Sequence, residues 1–113
     1  MPTRIVLASL LFAGCAADEP LQAPAAPSTL AVSLLGAGAH LTWLDNSSDE
    51  DEFIVMRQQM GTDADMKELA RVPFDTVTYH DEPIASGATY LYMVTATNAA
   101  GDASSNQATF VAP

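Results

Sequence analysis

A chain of 113 residues has room for one domain and a tail. Four basic residues against fourteen acidic ones give a formal charge of −10. That balance excludes a nucleic-acid surface, which needs clustered cations to meet phosphates, and it excludes electrostatic adhesion to anionic lipid. The single cysteine, Cys15, permits no intramolecular disulfide, so a folded part must be held by its core alone, with a narrow margin at this size.

The chain opens with Arg4, an apolar run from Ile5 to Ala13 and a small-residue exit at Gly14-Cys15. This is signal-peptide anatomy, too short to remain in a bilayer as a spanning helix. The stretch Leu11-Phe12-Ala13-Gly14-Cys15 resembles the lipobox of bacterial lipoproteins, with Phe12 where that motif usually carries Leu. The resemblance implies that residues 1–14 are removed and that Cys15 becomes an acylated N-terminus. Several acyl chains would anchor it stably where one would be marginal. Ala16 after the cysteine resembles the outer-membrane sorting pattern; the alternative is simple secretion. Residues 15–27 read as the lipidated cysteine and an Ala/Pro-rich flexible tether with Pro20, Pro24 and Pro27. At about 3 Å per residue it could hold a domain about 30 Å from a membrane.

From Ser28 onward short apolar runs alternate with turn-formers, without a helical period. Thr29–Ser33 places Leu30 and Val32 on one face. Gly36-Ala37-Gly38 is a turn, and Ala39–Leu44 places Leu41 and Trp43 inward with His40 and Thr42 outward. After the polar loop beginning at Asp45, Phe53–Arg57 buries Phe53 and Val55. Strands follow near 68–72 and 76–79, and the longest, Thr89–Asn98, turns Tyr90, Tyr92, Val94 and Ala96 to one side. A turn at 98–102 leads to a closing strand at 107–111. Seven short strands with evenly spaced turns predict an all-β sandwich or barrel.

Several pieces occur in a telling order: Pro27-Ser28-Thr29-Leu30, Leu41-Thr42-Trp43, Asn46-Ser47-Ser48-Asp49-Glu50 before Phe53, Thr78-Tyr79-His80-Asp81, Gly87-Ala88-Thr89-Tyr90-Leu91-Tyr92 and Val94 to Asp102. Together they resemble a fibronectin type III domain, an immunoglobulin-like sandwich, over residues 28–113. Trp43 is expected to bridge the two sheets. Tyr90 is placed as a tyrosine corner whose hydroxyl bonds back to the backbone before it. Gly87 and Gly101 suit turn positions with positive φ. The resemblance implies a non-catalytic module with no cofactor.

No nucleophile motif, phosphate loop or paired carboxylates in a cleft stands out, so no enzyme activity is expected. The acidic loop from Asp45 to Glu52 lacks the glycine and the spaced glutamate of an EF-hand and reads as a solvated connection. His40 and His80, with Asp81 adjacent, offer the makings of a weak zinc site, though outward histidines are usually only hydrated; no metal site is expected. The preferred feature is the outer face of two neighbouring strands. There Ile54, Met56, Leu91 and Met93 form an apolar patch where bacterial domains of the resembling kind usually carry Arg or Glu. Apolar patches mark interaction sites, and methionine adapts to varied partners. The expected function is a lipid-anchored envelope interaction or spacer module that binds another protein. A glycan-directed accessory module is the alternative.

Overall fold

The structure, a computed structural model, describes residues 20–113. The expected signal peptide and the lipidation site Cys15 lie outside the described residues. Eight strands follow one another: β1 (Ser28–Leu35), β2 (Gly38–Leu44), β3 (Glu52–Gln59), β4 (Lys67–Pro73), β5 (Thr78–Asp81), β6 (Thr89–Asn98), β7 (Gly101–Ser104) and β8 (Ala108–Val111). They form two antiparallel sheets. The smaller has the order β1-β2-β5; the larger has the order β4-β3-β6-β7, with β8 also pairing with β6.

Period-two alternation decides which side chains meet between the sheets. Leu30, Leu41 and Trp43 of the smaller sheet, and Phe53, Val55, Tyr90, Tyr92, Val94 and Ala96 of the larger, are all buried as the alternation predicts. Trp43 and Phe53 come from opposite sheets and meet edge-on, with ring centroids 5.8 Å apart. Burying each of Leu41, Phe53, Val55 and Val94 contributes about 1.5–3 kcal/mol, and all four are completely enclosed. The tyrosine corner forms: the Ala85 N–H donates to the Tyr90 hydroxyl at 2.8 Å. Gly87 and Gly101 have φ of 78° and 154°.

The expected closing strand at 107–111 forms as β8, and a short strand, β7, adds to it where only a turn was expected. β7 follows the end of β6 and β8 its beginning. Between them the Ser105 N–H still donates to the Val94 carbonyl at 2.8 Å, but Asn106 leaves the ladder for a physical reason. Leu30 lies in a bulge of β1, beside Thr29 at a φ of 56°, so its backbone groups miss β2. The Asn106 amide replaces them, accepting from the Leu30 N–H at 2.9 Å and donating to its carbonyl at 3.1 Å. One side chain thus joins the two sheets where no strand does.

The N-terminal segment also departs from expectation. A free tether as far as Pro27 is not what the described residues show, because Pro24 and Pro27 are buried. The Gln22 carbonyl accepts from the Asn98 amide at 2.8 Å, and the Ala26 carbonyl accepts from Asn46 at 3.0 Å. The composition suggested nothing to bury, yet proline rings are apolar and fit a ready-made surface. Part of the stretch from Gln22 to Pro27 thus lies against the strands that follow it.

Candidate functional site

The outer face of the larger sheet is built on the β3–β6 ladder. Met56 stands directly opposite Met93, Gln58 opposite Leu91 and Ile54 opposite Thr95. Since Phe53, Val55, Tyr92 and Val94 point inward, these residues point away from the core. Ile54, Met56, Leu91 and Met93 are each partly buried by their neighbours. The same parity carries on to Met60 and Val111, on either side of Thr89. Met60 and Val111 are 50% and 63% exposed, so the apolar area is largest at that end. The strand expected to end at Arg57 runs on to Gln59, and the same alternation carried past it reaches Met60.

Polar groups frame this face. On the β4 side Arg71 pairs with Glu68 at 3.0 Å and also with Glu52. The Arg71 hydrogen bonds hold Glu68 below the usual carboxylate range. On the β7 side Thr95 and Ser104 share a hydrogen bond of 2.8 Å, and Thr97 donates to Asp102. An apolar centre with a polar rim is the arrangement of an interaction surface.

On the smaller sheet His40 faces His80 across the ladder, with ring centroids 6.3 Å apart. The carboxylate beside them in sequence is not with them. Asp81, next to His80 along an extended strand, faces the opposite side and is only 4% exposed. There it accepts from the Tyr92 hydroxyl at 2.6 Å and from Arg57 Nη1 at 2.9 and 3.0 Å. Arg57 also lies over the Tyr90 ring, 5.5 Å from its centroid. Burial opposes the Arg57 charge, but Asp81 more than offsets this and keeps the guanidinium charged. Burial, with Asp81 adding to it, raises the Tyr92 hydroxyl well above its ordinary value. Asp81 is therefore a cross-sheet clasp, and His80 instead meets Glu82 at 2.8 Å.

The loop after β2 is not simply solvated. Asp45 accepts from the Ser47 N–H at 3.0 Å, and Glu50 is buried. Across from it, in the β4–β5 turn, stands Asp75 with a φ of 66°. One carboxylate oxygen from each of Asp45, Glu50 and Asp75 lies within 4.8 Å of the others. Asp75 was not singled out from the sequence. Its signal is faint: an aspartate after Pro73-Phe74, of a type that tolerates the left-handed region.

No protein-family model and no curated protein matches the sequence. Solved structures do match the fold. A fibronectin type III-like protein from Clostridium thermocellum is 26% identical over 81% of this chain and 96% of its own, with a TM-score of 0.65. A fibronectin type III domain of human collagen XX is 18% identical over 85% of this chain and 99% of its own, with a TM-score of 0.64. The chain folds as a fibronectin type III domain. A pectate lyase from Pectobacterium carotovorum also carries this fold, at 19% identity and a TM-score of 0.67; the match covers 78% of this chain and 27% of the lyase.

Within the fibronectin type III frame the hallmark residues take the places expected of them. Trp43 is 3% exposed between the sheets, and Tyr90 closes its corner. Gly101 lies against the N-terminal segment, where a Cβ would come within 3.3 Å of Ala23.

Proposed function

We propose that this fibronectin type III domain is a non-catalytic interaction or spacer module of the bacterial cell envelope. In this reading an acylated Cys15 ties it to the outer membrane, and the outer face of β3 and β6 meets another protein. Its neighbours in fold are, as a class, non-catalytic modules. The observation that carries the finer reading is the Met56–Met93 pair, directly opposed at the centre of an apolar face that ion pairs and hydroxyls surround. Such a face, made with methionine, suits a partner surface of adaptable shape. Each of the described cations, Arg57, Lys67 and Arg71, is already engaged by a carboxylate, so the unpaired surface charge is negative and favours a partner with basic groups around its apolar contact. A glycan-directed role has less support, because Trp43, Tyr90 and Tyr92 are buried, which leaves Phe74 as the strongly exposed ring among the described residues.

Two experiments test this. Fractionation of cells should find the full chain in the outer membrane and a Cys15→Ser variant released from it. Partner capture from envelope extract should be lost in a Met56→Glu, Met93→Arg double variant that still folds. Unchanged capture, or binding on a glycan array, would sink the protein-partner reading.

A further inference from the structure

Asp45 and Glu50 lie on the connection that carries the chain from β2 in the smaller sheet to β3 in the larger. Asp75 lies on the connection that brings it back, from β4 to β5. The three carboxylates converge within 4.8 Å where these crossings meet. Clustered acids on a surface are common; Glu50 sets this cluster apart. It is 6% exposed, and its Oε1 is buried without any hydrogen-bond partner. Its Oε2 accepts a long bond, 3.4 Å, from the Asp75 N–H. Among the described residues no ion pair includes Asp45, Glu50 or Asp75, and Arg57, Lys67 and Arg71 are committed to Asp81, Asp63, Glu52 and Glu68.

A buried carboxylate facing two others needs either a proton or a cation. Burial, reinforced by Asp45, pushes the Glu50 carboxyl above its ordinary range, so the site is a poor home for negative charge on its own. We propose that Asp45, Glu50 and Asp75 form a calcium site that clasps the two sheet-to-sheet crossings. The ligand set is all oxygen, which selects a hard cation over zinc. Oxygens bound to one calcium can lie up to about 5 Å apart, since each bond is about 2.3–2.6 Å, and the three carboxylates meet that limit. Magnesium has shorter bonds and a rigid octahedron, and tolerates less spread. Waters and loop carbonyls would complete the shell. The clasp would join the sheets in a domain whose single cysteine can form no internal disulfide. It would also order the Asp49 carbonyl, which accepts from Asn98 at 3.1 Å while Asn98 holds Gln22. Calcium would thereby stiffen the point where the N-terminal segment leaves the domain.

The test uses the full exported chain carrying Cys15→Ser, stripped with chelator and titrated with calcium chloride alone at pH 7. Calorimetry should show one site with a Kd of about 10⁻⁴ to 10⁻³ M. The melting temperature should rise by about 5 °C or more in about 10 mM calcium. Glu50→Gln and Asp75→Asn should each weaken binding about tenfold or more, while both fold without calcium at least as well as the parent. No shift in the parent protein, or an equal shift in both variants, overturns the proposal. An equal response to magnesium chloride overturns the assignment to calcium.

Discussion

Asp81 and Glu50 are both buried carboxylates, with 4% and 6% of their surfaces exposed, and both stand where the two sheets are joined. Their surroundings are opposite. Asp81 receives a guanidinium and a phenol, so its charge is satisfied within the fold. Glu50 receives one long backbone bond and faces two further carboxylates. Taking a charge from water costs several kcal/mol unless its partners come with it. The fold supplies those partners in one place and withholds them in the other. Equal burial therefore has opposite meanings: Asp81 is a structural clasp, and Glu50 is a seat for something the chain does not provide.

The same isosteric change at the two positions should act in opposite directions. Asp81→Asn leaves Arg57 and Tyr92 facing a neutral amide and should cost about 3 kcal/mol in urea unfolding, the low end for breaking a buried pair because Arg57 is partly hydrated. Tyr92→Phe removes one donor from the same carboxylate and should cost about 2 kcal/mol. Glu50→Gln, in calcium-free buffer at pH 7, should instead stabilise by about 1 kcal/mol, because an unpaired charge is removed. A loss at Glu50 as large as the loss at Asp81 would break the comparison.

The comparison sharpens with pH. Glu50 holds its proton more tightly in the native domain than in the unfolded chain. Its contribution to stability is therefore fully present below the unfolded value, about 4.3, and is lost as pH rises through the raised native value. The gain from Glu50→Gln should accordingly be large at pH 7 and fade towards pH 4, as thermal melts of both proteins will show. The smallest effect belongs to the outer face. The Met56→Glu, Met93→Arg pair should change stability by about 0.5 kcal/mol or less, since the new charges lie opposite each other on the outer face, away from the core. Circular-dichroism melts check this.

Much of the sandwich was legible because strand alternation is local. Leu41, Trp43, Phe53, Val55, Tyr90 and Tyr92 turn inward by parity, and the same parity identified Met56 and Met93 as an outer pair. The same parity turns Asp81 away from His80 and into the space between the sheets, where it is 4% exposed. The Asn106 link to Leu30 was less visible, because it answers a bulge in β1 from a side chain 76 residues away. Pro24 and Pro27 looked like tether because composition reports what a residue is, not the surface it will meet.

The sequence by itself determined the alternation, the turns, the tyrosine corner and a net charge that weighs against nucleic acid, since each follows from residue type and short spacing. Only the tertiary structure decided which carboxylates met which partners. Asp75 joins Glu50 across 25 residues, and Asp81 joins Arg57 across 24. Such meetings depend on where loops land after two sheets have packed, and no period along the chain encodes them.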